Sequence, residues 1–265
     1  MNGFAIYWRY VGVSLRGQML YPTAFLLRLA SQFLVTIVEF AGVWVLFQRF
    51  HHVRGWSFSQ VALFYAITSI AFALADGLSR GFDGVGPLYV KTGNFDRLLL
   101  RPRSTALQIT AQDFWLSSIG RVAQGLVALA VAVWLLKPDW GVGTVLLLTW
   151  SVAGGTSLFF ALKTLEGTLS FWTTEGLEVA NTLTYGGEAA AQFPLDIYAA
   201  WFRKFLTYFV PIGCSLYFPV ALVLGRDAGV PAWVAVLSPA TGFAFLGLAL
   251  AVWGVGIRHY TSTGS

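Results

Sequence analysis

A chain of 265 residues that is 57% hydrophobic and only 11% charged has too few polar residues to cover a soluble surface of its size. Its mean hydropathy of +0.68 makes lipid its solvent. The net charge of +5 comes from Lys and Arg placed between apolar stretches, a positive-inside pattern and not a nucleic-acid footprint, and the lone Cys214 excludes an intrachain disulfide and a cysteine metal cluster.

Residues 1–20 lack the basic head and small-residue cleavage site of a signal peptide. They read as an amphipathic interface helix: Phe4, Trp8, Val11 and Leu15 form one stripe, and Arg9 and Arg16 share a line roughly 120° away. A first span is expected over residues 23–47. Arg28 can snorkel, whereas Glu39 lies near mid-membrane, so it is read either as part of a substrate path or as a hydrogen-bonded structural carboxyl. His51 and His52 follow in a solvated loop, because neighbours in sequence point to different sides and no further ligand is near.

A second span, 58–78, leads to a charged island over residues 79–113. Arg80, Lys91, Arg97, Arg101 and Arg103 gather there, broken by Gly77, Gly81, Gly84, Gly86 and Gly93 and punctuated by Pro87 and Pro102. Residues 95–100 suit one or two helical turns. A third span, 115–136, joins a fourth that starts near Val142 through Lys137-Pro138-Asp139-Trp140-Gly141, a tight turn that makes them an antiparallel pair. Ser151, Gly154, Gly155, Thr156 and Ser157 mark a close-packing face on the fourth. Residues 164–196, with Glu166, Glu175, Glu178, Glu188 and Asp196, read as a polar linker. A fifth span then runs from 197 or 205 to 224, kinked at Pro211, and a sixth over 232–257.

With the N-terminus inside, Arg9, Arg16, Arg80, Lys91, Arg97, Arg101, Arg103, Lys163, Arg203, Lys204 and Arg258 fall on the cytoplasmic side. Arg49, Arg54, Lys137 and Arg226 fall outside. The fold class expected is therefore an all-α membrane protein of about six transmembrane helices, one transmembrane domain over 1–265, with both termini cytoplasmic.

The chain has no Walker-type phosphate loop, no Gly-x-Ser-x-Gly elbow and no His-Glu-x-x-His. Few buried acids and three scattered histidines argue against a proton relay. An enzyme is not expected.

Gly93-Asn94-Phe95-Asp96-Arg97-Leu98-Leu99-Leu100-Arg101-Pro102 resembles the Gly-x-hydrophobic-Asp-x-x-Leu-x-Arg-Pro pattern of type-2 ABC export permeases. The subgroup is that of the daunorubicin-like and viologen-like exporter permeases. Weaker matches are Phe193-Pro194-Leu195, Val210-Pro211 and Tyr260-Thr261-Ser262-Thr263-Gly264-Ser265. The resemblance implies a half-transporter of the bacterial cytoplasmic (inner) membrane, paired with a second permease, the same or a different chain. Two ABC ATPase subunits would hold ATP and Mg, with no cofactor, metal or nucleic acid on this chain. It implies export of a hydrophobic or amphipathic small molecule or drug.

In that family the loop between spans two and three and the N-terminal helix rest on the ATPase. This makes Trp8, Arg9, Phe95, Asp96, Arg97, Leu99, Arg101 and Pro102 the expected coupling interface, with Phe95 and Leu99 as apolar anchors. Glu39, Phe40, Trp44 and Pro211 are the expected substrate path. The competing expectation is an ion-coupled secondary transporter, which requires intramembrane acids mirrored in two halves; Glu39 has no clear counterpart after Val142.

Overall fold

The computed structural model describes residues 12, 17, 20, 22–50, 52–112, 117–136, 140–173 and 177–262. The described residues form helices and no β-strand, as an all-α membrane protein requires. In chain order the helices are α1 (Pro22–Phe50), α2 (Phe58–Ser79), α3 (Phe95–Leu99), α4 (Thr105–Gln112), α5 (Ser117–Leu136), α6 (Val142–Leu169), α7 (Leu177–Ala191), α8 (Ala200–Lys204), α9 (Phe218–Val223), α10 (Ala232–Leu237) and α11 (Ala240–His259). Among the described residues four stretches are long and apolar enough to cross a membrane: Phe58–Val90, Ser118–Leu136, α6 and α11. A bent pair, Ala200–Phe209 with Gly213–Val223, makes a fifth if counted as one. Helix α1, 29 residues long, covers the first expected span.

Helix α2 is the axis of the fold. Ser57 Oγ accepts from the amide of Gln60 and Gln60 Oε1 accepts from the amide of Ser57, a reciprocal cap that fixes where the helix begins. Its apolar residues occur on all sides, so it is stable only when surrounded. Residues 61–68 are all buried, with α5, α6 and α7 packed around them. Past Ser79 the rod continues with changed pitch, as a 3₁₀ turn over Arg80–Gly84 and a π-helical segment over Val85–Val90.

Small residues bring the helices close. A Cβ at Gly125 of α5 would lie 2.6 Å from Ile70, and one at Gly155 would lie 2.6 Å from Leu216 and 3.0 Å from Ala71. Ser151 Oγ donates to the Ser215 carbonyl at 2.9 Å and Thr156 Oγ1 to that of Ala71 at 3.2 Å. The packing face expected over residues 151–157 is thus in use. The tightest approach is between α6 and α11, where a Cβ on Gly242 would run into the Gly154 carbonyl. Gly242→Ala is expected to destabilise the protein by about 1–3 kcal/mol through forced separation of the two helices. Gly247→Ala, where a Cβ meets open space, serves as the neutral control in a thermal unfolding series in detergent.

Two expectations are corrected. Residues 164–196 are not a polar linker, because α6 continues to Leu169 and α7 returns beside it. Thr184 Oγ1 lies 3.4 Å from Glu166 Oε2, and Thr68 Oγ1 donates to the Ala191 carbonyl at 2.9 Å. The segment expected as the fifth crossing turns back instead. Before it, Asp196 accepts from Trp56 Nε1 at 2.9 Å; after it, Arg226 donates to the Gly55 carbonyl at 2.6 Å and lies 4.9 Å from the Trp56 ring. A segment whose two ends reach the same tryptophan enters and leaves on one side. It is a re-entrant hairpin, bent through 88° between Phe209 and Gly213, with Ser215 reaching Ser151 inside the bundle.

The cause of the bend is Pro211. It has no N–H and disfavours a helical residue before it, so Val210 is extended (φ −111°, ψ 98°). Arg203 and Lys204 therefore lie at the Trp56 end of the bundle with Arg54 and Arg226, and not with the island at the opposite end of α2. Pro239 likewise divides the expected sixth span into α10 and α11.

Candidate functional site

The island is braced from inside. Phe95 and Leu98 are on the inner face of α3, 0% and 2% exposed, while Leu99 is 44% and Leu100 85% exposed. The Phe95 ring sits 5.0 Å from Phe171, 6.2 Å from Trp253 and 4.9 Å from Tyr260, all measured between centroids. Trp253 Nε1 donates to Thr105 Oγ1 at 3.0 Å, and Gln108 Nε2 to the carbonyls of Leu98 and Arg103 at 3.1 Å each. Asp96 accepts from Ser262 Oγ at 2.7 Å, so the segment after α11 clasps the island. A left-handed turn at Gly93 (φ 70°) lets the chain reverse before α3.

These contacts correct the expectation that Phe95 anchors on a partner. A lone phenylalanine among charges has two ways to leave water, and here the aromatic cluster of α6 and α11 claims it. The outward face carries Arg97, Leu99, Leu100, Arg101, Pro102 and Arg103, all exposed.

Beneath the island lies an ion network that sequence reasoning missed. Lys163 Nζ is 3.0 Å from Asp76 Oδ1 and 2.9 Å from Asp83 Oδ2, while Arg80 and Arg121 reach Asp76 Oδ2 at 3.0 and 3.3 Å. The side chains of Lys163 and Asp76 are 0% and 1% exposed. Tyr185 of α7 completes the group, its hydroxyl 3.5 Å from Lys163 Nζ. Glu166, also buried, lies one turn further along α6. Asp76 belongs to α2, Arg80 and Asp83 to the 3₁₀ turn that opens the island, Arg121 to α5 and Lys163 to α6. The network therefore ties the island's base to four helices, and sliding α6 along α2 has to break or drag its pairs. The few buried acids expected are in fact three, Asp76, Asp83 and Glu166, though Asp83 keeps 28% of its side chain exposed. The signal available was Lys163 inside an apolar run: a cation there needs a buried anion.

The expected substrate-path residues are not brought together. Helix α1 packs on α5, whereas the hairpin holding Pro211 packs on α6, α7 and α11. Trp44 on α1 is 48% exposed. Glu39 and Phe40 lie in α1, but their side chains fall outside the described residues, as do Trp8 and Arg9 altogether.

An all-helical bundle with apolar spans, buried ion pairs between them and a braced basic projection defines a polytopic membrane protein built to be acted on at one end. The family model described as ABC-2 family transporter protein matches residues 33–264, and the chain belongs to that family. It is thus a multi-pass permease of the ABC class, a transport component and not itself a catalyst. No curated protein and no solved structure matches it.

Proposed function

We propose that this chain, as one transmembrane domain, is the permease subunit of an ATP-driven exporter of the bacterial inner membrane. In this reading it moves a hydrophobic or amphipathic small molecule, works with a second permease chain, and is driven by two separate ABC ATPase subunits that hold ATP and Mg. Both termini and the island face the cytoplasm, where the ATPases reside. The observation that carries the reading is the outward face of the island: Leu100 is 85% exposed beside Leu99, Arg97 and Arg101, on a helix whose inner face is locked by Phe95 and Leu98. Leucines flanked by cations on a rigid short helix match the anchor-and-rim pattern of a protein groove. A push on such a helix is not absorbed locally, because α3 is fastened to α4, α6 and α11.

The test uses the assembled transporter in nanodiscs, with the ATPase subunits that copurify with it. The double substitution Leu99→Asp/Leu100→Asp is expected to lower substrate-stimulated ATP hydrolysis by at least roughly tenfold while leaving the melting temperature of the permease unchanged. Undiminished stimulation in the folded variant removes the island from the coupling path.

A further inference from the structure

The re-entrant hairpin carries a second feature, at the end of the bundle opposite the island and independent of the coupling reading. Between its two limbs and the loop that follows lies a cleft of about 430 Å³. Four charges line it: Arg203 and Lys204 from the first limb, Asp196 ahead of the hairpin and Asp227 after it. Both cations are exposed, and among the described residues neither side chain makes a hydrogen bond or ion pair with the protein. Both carboxylates are held in place by other groups, Asp196 by Trp56 Nε1 at 2.9 Å and Asp227 by the Gly229 amide at 2.7 Å. The cleft therefore keeps two cations and two anions apart instead of letting them collapse on one another.

Its depth in the membrane follows from its surroundings. Trp201, Tyr208, Phe209 and Trp233 are 72%, 82%, 69% and 67% exposed on the hairpin and the start of α10. Large amphipathic and aromatic rings exposed together mark the headgroup layer. A mixed-charge cleft at that depth meets lipid headgroups before anything else.

We propose that this cleft binds the headgroup of a zwitterionic aminophospholipid, a phosphodiester bearing a primary ammonium. Arg203 and Lys204 take the phosphate, for which a guanidinium fork and an ammonium are suited. Asp227 and Asp196 accept from the ammonium. A headgroup that is only anionic satisfies the cations but faces two fixed carboxylates. A choline headgroup carries the balanced charge but has no N–H to donate.

The full chain, purified in detergent, is offered phosphatidylethanolamine, phosphatidylcholine and phosphatidylglycerol with identical acyl chains, and retained lipid is read by native mass spectrometry. Phosphatidylethanolamine is expected to be retained roughly tenfold more than either of the others. Arg203→Gln/Lys204→Gln is expected to abolish that excess, and Asp227→Asn to reduce it without weakening phosphatidylglycerol. These side chains are on the surface, and unchanged melting temperatures confirm that the variants fold. Glycerophosphoethanolamine, which has the headgroup and no chains, is expected to displace the lipid, placing recognition in the polar group. Equal retention of all three lipids, a preference for phosphatidylglycerol, or an excess that survives the double substitution overturns the proposal.

Discussion

Lys163→Met is expected to cost about 3–5 kcal/mol of stability, because it leaves Asp76 and Asp83 facing each other's field with their shared buried cation gone. Arg80 and Arg121 remain on Asp76, so the larger share of the damage falls on Asp83. Adding Asp83→Asn to Lys163→Met is expected to recover part of the loss, which a like-charge or packing defect elsewhere does not predict. Thermal unfolding of the purified protein in detergent reads both variants. A loss below about 1 kcal/mol, the range of exposed ion pairs, would mean that the network is solvated and carries no structural weight.

The second large effect is at Phe95. Replacing this fully buried ring by alanine removes the contact that Phe171, Trp253 and Tyr260 converge on, and is expected to cost about 3–5 kcal/mol. The island is then held by hydrogen bonds alone, so tryptic cleavage after Arg97 and Arg101 is expected to accelerate strongly over the parent protein. Leu100→Ala, one residue past the same short helix but 85% exposed, is expected to stay within about 0.5 kcal/mol. The pair separates bracing from docking. If Phe95→Ala leaves both the melting temperature and the cleavage rate unchanged, the aromatic cluster is not what fixes the island.

Much of this architecture can be read in the sequence, and the places where reading fails have physical causes. Long apolar runs announce α2, α5, α6 and α11, since nothing else accommodates so many adjacent hydrophobic residues. The close-packing role of Gly154 and Gly155 is likewise visible, because small residues in lipid have few other uses. Helix α7 is hidden by its own composition. Its 15 residues include Glu178, Asn181, Thr182, Thr184 and Glu188, polar enough to resemble a linker. The hairpin misleads in the opposite sense, being apolar enough for a crossing while its geometry is set by Pro211 and by partners at Asp196 and Arg226 that are distant in sequence.

For the candidate site, residue type located the island but not which way its side chains face. Phe95 and Leu99 are equally apolar, and only the third-dimension neighbours of α3 turn one inward and leave the other half out. The ion network escaped for a similar reason. Asp76 at the end of one apolar run and Lys163 near the end of another each look like a boundary marker until the helices are placed side by side.

The change of pitch below α2 sets the azimuth at which the island leaves the bundle. Tightening from 3.6 to 3.0 residues per turn across the five residues Arg80–Gly84 rotates everything beyond by about 100° relative to an unbroken α-helix. The wider turns of Val85–Val90 return part of that rotation. Exchanging one winding for the other would swing Leu100 through an arc around the rod axis with little change in its height, so the stroke available at this joint is torsional, that of a crank and not of a piston.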